Sequence, residues 1–597
     1  MISHSRGRWA PFWVSLTFAA VFILLRIAYR LVFGSFSWAA LSQAALLALP
    51  FAAVIVVCGF LSALVDVRKL LPAMSALRYG RSIGTALAIA LSSYPTLIHQ
   101  VRQLNTARIL RGMHSRSAFL VPLLEHTIER AVALAAAMDV RGFGATRTAE
   151  CEDHANISFQ NFSLSYGTTP VLSNITFDFP AGQLTVLTGH TGSGKTAVLE
   201  SIAGLSQHFH NGKVTGSLTI GGVDRNATAP RHTAGLIGYV PQDVRMGFAA
   251  ATAREELEFG LRVSGYTKAE SSTRAQVLIS QFSLDHIAGQ PIELLSAGEA
   301  TRVAIAAALA LRPRILLLDE PLADLDRQSR VELVSLLGTL QRSEHLTIVM
   351  AEHHTAELEG LSPHWLSLSS GELNEGLWSS SSQVVPARSL PLVGTDEIFS
   401  VENLSVSRGE RQLITDATLS LHVGQMCAVT GPNGVGKSSL LSALASAPQS
   451  HAVVRLVPEN LSSLFICETL DEELTRADQL AGHAHSGLSA LTFWSILASE
   501  ENPELLRTHP RDLSAGTQVA LAIALQLSWK PQVVLIDEPT RGLDSVARTA
   551  MAEVLRCVVE TGTAVLFASH DEQFVSDVGC PVFAIREGEL VSEEVSA

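Results

Sequence analysis

Two glycine-rich segments carry the residue types that hold a nucleoside triphosphate. The first is Gly189-His190-Thr191-Gly192-Ser193-Gly194-Lys195-Thr196, the second Gly431-Pro432-Asn433-Gly434-Val435-Gly436-Lys437-Ser438. Both fit G-x-x-x-x-G-K-[ST] at every fixed position. The glycines let backbone N–H groups wrap phosphates, the lysine reaches the terminal phosphates, and the Thr196 or Ser438 hydroxyl completes a Mg²⁺ site. Each segment has an acidic pair downstream, Asp319-Glu320 and Asp537-Glu538, then a histidine, His353 and His570. An acidic pair followed by a histidine supplies residue types that can hold a divalent cation and move protons, which suits hydrolysis of a bound triphosphate. ATP and Mg²⁺ are therefore the expected cofactors.

These groups work only if secondary structure holds them. Apolar runs at 184–187 and 426–429 precede the glycine-rich segments and helix-like stretches follow, which gives strand–loop–helix. Unbroken apolar runs at 315–318 and 533–536 end on the acidic pairs and suit parallel strands buried on both faces. Leu295-Ser296-Ala297-Gly298-Glu299 and Leu513-Ser514-Ala515-Gly516-Thr517 also repeat, each with its serine 23 residues before the Asp. Tyr166 lies 23 residues before Gly189, and Arg408 lies 23 before Gly431. Gln242 matches Glu459. From the lysine to that position is 47 residues in the first copy and 22 in the second, so the second copy is about 25 residues shorter there. The chain thus divides into 1–150, a first α/β domain at 156–377, a Ser- and Pro-rich linker at 378–397 and a second α/β domain at 398–597.

The net charge of −13 hides an asymmetry: residues 1–150 hold 15 Lys and Arg against 5 Asp and Glu, leaving −23 for the remainder. An acidic body argues against a nucleic-acid partner, whereas a basic apolar block suits anionic lipid. The 6 cysteines are scattered without a CxxC, so neither a disulfide framework nor a zinc site is expected. Segments 11–33 and 38–65 are each long enough to span a bilayer. Arg6 and Arg8 before them, with Arg68 and Lys69 after, place both ends of that hairpin in the cytoplasm. Segment 82–99 reads equally as a further span or an interfacial helix. Segment 118–138, interrupted by Glu125, Glu129 and Arg130, reads as an amphipathic helix at the cytoplasmic face.

Taken together, the repeated motifs resemble the ATP-binding-cassette (ABC) family over about residues 156–597. The resemblance implies an α-helical membrane domain followed by two α/β P-loop cassettes that pair head to tail. Each ATP is then sandwiched between one copy's P-loop and the other's signature serine. Site one would use Lys195, Thr196, Gln242, Asp319, Glu320 and His353 with Ser514 and Gly516; Tyr166 could stack on adenine. Site two would use Lys437, Ser438, Glu459, Asp537, Glu538 and His570 with Ser296 and Gly298. Mg²⁺ would fall to Thr196, Gln242 and Asp319, and to Ser438 and Asp537. His353 is preferred over His354 because Glu352-His353 matches the family's Glu-His pair. Arg408 and Glu459 depart from the usual aromatic and glutamine, which makes site one the more standard hydrolytic site.

Leu110-Arg111-Gly112 and Val140-Arg141-Gly142 each end a helix-like stretch. The region around 67–146 resembles the T component of energy-coupling-factor transporters, in which two Ala-Arg-Gly-type motifs end coupling helices that dock on the two ATPases. A helix C-terminus with a glycine cap explains the same residues more simply. The resemblance implies a multi-pass plasma-membrane protein with cytoplasmic ATPase domains. It would energise micronutrient uptake through a separate substrate-binding integral membrane protein. A twin-cassette translation factor and an ABC exporter are the alternatives.

Overall fold

The computed structural model describes residues 10–33, 38–64, scattered positions from 98 to 111, 120–143, 145 and 156–593. Gaps fall at 324, 354, 378–393, 409–410, 447–451, 462–463, 484–485 and 498–499. Segment 82–97, His354, Gly112 and most of the linker lie outside the described residues. The chain forms two compact units, 1–95 and 96–597.

In the first unit, α1 (Ala10–Phe33) and α2 (Trp38–Leu64) pack against each other. Within α1 the stretch Phe12–Tyr29 has a mean hydropathy of 1.9, and among the described residues it is the one helix long and apolar enough to cross a membrane. Large apolar side chains on both helices, Trp13, Phe18, Leu25, Leu47, Phe51 and Val54 among them, face outward.

In the second unit, α3 (Leu120–Val140) precedes the cassettes. The first copy runs β1 (Ile157–Tyr166), β2 (Thr169–Phe179), β3 (Leu184–Thr188), α4 (Lys195–Ala203), β4 (Lys213–Ile220), β5 (Val223–Asp224), β6 (Ile237–Val240), α5 (Ala253–Val263), α6 (Lys268–Gln281), α7 (Ala297–Ala308), β7 (Ile315–Asp319), α8 (Arg327–Glu344), β8 (Thr347–Ala351), β9 (His364–Ser369) and β10 (Glu372–Glu375). The second runs β11 (Glu397–Arg408), β12 (Arg411–His422), β13 (Met426–Thr430), α9 (Lys437–Ala445), β14 (Val454–Val457), α10 (Leu470–Leu480), α11 (Leu488–Leu497), α12 (Ala515–Leu527), β15 (Val533–Asp537), α13 (Ser545–Glu560), β16 (Ala564–Ala568), α14 (Glu572–Val578), β17 (Val582–Arg586) and β18 (Glu589–Glu593).

The main sheets share one strand order, β6-β7-β8-β3-β9-β10 and β14-β15-β16-β13-β17-β18, parallel except for the last strand. The apolar runs seen in the sequence become their central strands. Every residue of β3, β7, β8, β15 and β16 is buried. That explains why these strands show no polar alternation: in copy one α5 to α8 cover one face, and α4 with the antiparallel β1, β2 and β4 covers the other. The missing stretch of copy two is now structural. Copy one has a four-stranded antiparallel sheet, β2-β1-β4-β5, whereas among the described residues copy two has the β11-β12 pair alone.

Candidate functional site

Both P-loops turn from a buried strand into a helix on glycines that no other residue replaces. Gly189 has φ +152°, and an added Cβ would meet the Leu368 carbonyl oxygen at 2.4 Å. Gly194 and Gly436, at φ +102° and +118°, start α4 and α9. Lys195 is buried, its Nζ donating to the carbonyls of Gly189 and His190, both at 3.1 Å. Lys437 donates to Gly431 at 2.8 Å and Pro432 at 3.4 Å. Both ammoniums are thus held over the loops by carbonyls that a phosphate can displace. Ser193 Oγ is buried with no hydrogen-bond partner among the described residues, as a phosphate cradle would leave it.

The acidic pairs sit at the ends of β7 and β15. Glu320 and Glu538 adopt left-handed backbone, φ +46° and +50°, fixed by N–H bonds to Ala351 and Ala568. A non-glycine residue there carries strain, which aims each carboxylate off its strand end. Glu320 Oε1 lies 3.0 Å from His353 Nε2, and its Oε2 accepts from Gln242 Nε2 at 2.9 Å. Glu538 Oε2 lies 2.9 Å from His570 Nδ1, with Lys437 Nζ 3.7 Å from its other oxygen. Burial pushes the Asp319 carboxyl up to about 7, with help from Glu320 and against the Thr196 hydroxyl. Burial does the same to Asp537, again to about 7, against the Ser438 hydroxyl. Both Asp319 oxygens and Asp537 Oδ1 are buried without a well-formed hydrogen bond among the described residues. Buried oxygens held beside a hydroxyl suit a hard divalent cation, so Thr196 with Asp319 and Ser438 with Asp537 fit Mg²⁺, whose charge would let both carboxyls ionise.

The copies face one another head to tail. Asp544 N-caps α13 and also accepts from the Thr191 N–H at 2.9 Å, while Asp326, N-cap of α8, accepts from the Asn433 backbone N–H. A cleft of about 1240 Å³ is lined by Tyr166, Lys195, Thr196, Gln242 and Glu320 of copy one and by Ser514, Ala515, Asp537 and Glu538 of copy two. Ser514 and Ser296 N-cap α12 and α7, with Gly516 and Gly298 in the first helical turns. The exposed N–H groups and dipole of such a helix favour an anion.

The sequence pattern described as ABC transporter matches residues 172–323 and 414–541, once in each copy. The chain is an ATPase with two fused ABC transporter cassettes. A Streptomyces avermitilis protein named as an ABC transporter ATP-binding protein is 28% identical over 539 residues, spanning 74% of this chain and 94% of its own. A Bacillus subtilis protein named for HMP/thiamine import and ATP binding is 26% identical over 494 residues, covering 72% of this chain and 89% of its own. A chain in a structure of ribosome-bound archaeal Pelota and ABCE1 superposes with a TM-score of 0.50 at 19% identity, covering 72% of this chain and 78% of that one; this is a likeness of fold.

Two arginines that precede the cassettes enter them. Arg111 Nη1 lies 2.6 Å from Glu473 Oε2 and also donates to the Leu464 carbonyl; the side chains are 4% and 0% exposed. Arg141 Nη1 lies 2.5 Å from Glu256 Oε1, the side chains 16% and 0% exposed. The two sockets are built alike. Glu256 accepts from the N–H groups of Ala249 and Ala250, and Glu473 from those of Ile466 and Cys467. One carboxylate therefore ties an arginine to the loop that follows Gln242 or Glu459. The glycine-cap explanation of Arg141-Gly142 holds as well. Gly142 has φ +84°, and an added Cβ would stand 2.6 Å from the Ala234 Cβ, so the cap also permits close docking. Glu125 and Glu129 of α3, both partly exposed, lie 3.2 and 3.4 Å from Arg511 of the second cassette.

Sequence reasoning missed Glu256, Glu473 and Arg541. The first two stand 14 residues after Gln242 and Glu459, an equal offset that was legible. Arg541 replaces Ala323 three residues after the Glu, and its Nη1 pairs with Glu459 Oε1 at 2.9 Å. The extra charge expected at Glu459 is therefore matched by a cation.

Proposed function

We propose that this ATPase is the energy-coupling module of an energy-coupling-factor type importer. The observation that carries the reading is the pair of sockets: each cassette receives one arginine from the region that resembles a T component, on the loop next to its nucleotide site. Residues 1–150 form the membrane and coupling domain on this reading, with α1 as the span and α2, apolar over the shorter stretch Leu46–Phe60, packed against it in the bilayer. The outward apolar side chains of α1 and α2 support a lipid-facing role and go against a ribosome-associated ATPase.

In each site the P-loop and its lysine bind the phosphates. Glu320 and Glu538 orient the attacking water, and His353 and His570 touch the γ-phosphate. The opposing Ser514 or Ser296 closes the sandwich. Closure pulls the sockets together, moves Arg111 and Arg141 with them, and reorients a partner in the membrane; hydrolysis resets the cassettes. The described spans offer almost no polar group at membrane depth, which solute binding needs, so a separate integral membrane protein must supply it. The similarity to a protein named for HMP/thiamine import makes a pyrimidine or thiamine-like vitamin the first substrate to try; transition metal ions are the second.

The test is reconstitution in proteoliposomes, with and without a small polytopic membrane protein encoded nearby, using labelled thiamine, its pyrimidine precursor and metal ions. The expected result is ATP-dependent uptake only with the partner. Robust uptake by the chain alone would refute the module reading.

A further inference from the structure

The second nucleotide site holds two charges that the first lacks, and they touch. In site one the Gln242 amide is both donor and acceptor, and it donates to Glu320 at 2.9 Å. Glu459 occupies the equivalent place and has no hydrogen to give when ionised. It faces Asp537, whose carboxyl it helps burial to push up. Glu459, Asp537 and Glu538 converge there; in site one the third carboxylate near the acidic pair is Glu200 on the P-loop helix, where copy two has Ser442. Arg541 supplies a cation where copy one has Ala323. The two side chains meet at 2.9 Å and are 41% and 45% exposed, so both can move. Arg541 also lines the cleft that holds the first P-loop, Glu459, Asp537 and Glu538, and a small cavity beside Glu320, His353 and His570. The exchange of Gln and Ala for Glu and Arg leaves net charge unchanged, which argues for two substitutions that act as one.

We propose that Glu459 and Arg541 form a single exchangeable unit, in which Glu459 is a metal-facing carboxylate and Arg541 the cation that holds it until Mg²⁺ takes its place. Metal affinity at site two is then a competition. A carboxylate is a stronger Mg²⁺ ligand than an amide, and the arginine opposes part of that gain. Arg541 is a positioning residue in this account, acting on the metal through Glu459. Released from Glu459, it stays in the wall between the two acidic pairs and offsets their charge.

The test uses Mn²⁺ as probe, titrated by electron paramagnetic resonance into the full-length purified chain with a non-hydrolysable ATP analogue. A half-exposed ion pair is worth about two- to fivefold in an equilibrium, which sets the expected scale. Arg541→Ala should tighten one of the two Mn²⁺ sites by about that factor, and Arg541→Lys should leave both near their original affinities. Glu459→Gln should weaken the same site, because the carboxylate ligand is lost while the arginine's positive charge stays beside it. Adding Arg541→Ala to Glu459→Gln should restore affinity to that of the other site. Unchanged or weaker Mn²⁺ binding in Arg541→Ala, or a double variant no better than Glu459→Gln, would overturn the proposal.

Discussion

Replacing Arg111 with alanine tests the coupling reading at its most buried contact. The guanidinium and the Glu473 carboxylate are 4% and 0% exposed, so water cannot take over the lost partner. Breaking a buried pair from one side typically costs about 3–5 kcal/mol. At the lower end of that range the expected penalty is about 3 kcal/mol, or on the order of 100-fold in the docking equilibrium. Glu473→Gln is the milder control. It is isosteric, but its one amide oxygen can keep either the Ile466 and Cys467 amides, held by Oε1, or Arg111, held by Oε2, so its cost should be about 1–3 kcal/mol.

Two assays read this out. Arg111→Ala should abolish partner-dependent uptake while nucleotide binding persists, because the socket lies outside the phosphate cradle. Hydrogen exchange gives the independent measure: the Ile466 and Cys467 amides, held by Glu473, should lose protection by up to about 100-fold. The matching amides Ala249 and Ala250, held by Glu256, should change little. Normal uptake together with unchanged exchange at Ile466 and Cys467 would return Arg111 to a helix-end role and remove the basis of the coupling reading.

Glu320→Gln should lower steady-state ATP hydrolysis more than Glu538→Gln, since only Glu320 has a glutamine partner and an uncharged neighbour at the next turn; equal losses would refute the ranking. Because burial raises Asp319 and Asp537 to about 7, metal binding must displace a proton. Apparent Mg²⁺ affinity, read by calorimetry, should fall up to about tenfold per site for each pH unit below 7 and level off above it. The same carboxyls bind protons more tightly folded than unfolded. Their contribution to metal-free stability is therefore present below pH 4 and lost as pH rises through 7, and thermal melts with and without Mg²⁺ should diverge most above pH 7. Asp544→Ala should remove the cap of α13 and the bond to Thr191 at once, loosening cassette pairing seen by cross-linking and costing about 1 kcal/mol of stability.

The cassettes were legible because their chemistry is local. A P-loop needs particular glycines in sequence, and a strand covered on both faces needs an unbroken apolar run, so β3, β7, β13 and β15 could be placed from residues alone. The sockets were only half legible. Arg111 and Arg141 stood out at helix ends, but the carboxylates that receive them lie 362 and 115 residues further on. Nothing local tells a buried acceptor such as Glu473 from the acidic first turn in which it sits. The same limit applies to α3. Glu125 and Glu129 look like residues facing water at a membrane, until the fold brings Arg511 to them. Arg541 failed for a different reason: its meaning depends on Glu459, and reading each position singly concealed a paired exchange.

The pattern of what the two copies share bears on how they work. Their sockets match residue for residue, Thr252 with Glu256 and Thr469 with Glu473, each carboxylate holding two loop amides and one arginine. Their nucleotide sites differ at Gln242 and Glu459, at Ala323 and Arg541, and at the histidine nitrogen that meets the glutamate. Copy one also keeps a contact that copy two has lost: Arg231, in the stretch missing from the second copy, donates from both its backbone and its guanidinium to Asp139 at the end of α3. If the arginines couple ATP use to a membrane partner, the mechanical output is nearly symmetric while the chemistry that drives it is not. One site can then set the closing of the pair and the other the timing of its release. Exchanging the two nucleotide-site sets, Gln242→Glu with Ala323→Arg and Glu459→Gln with Arg541→Ala, should swap which catalytic glutamate dominates hydrolysis and leave coupling intact. If Glu320 still dominates after that exchange, the asymmetry lies outside these four positions.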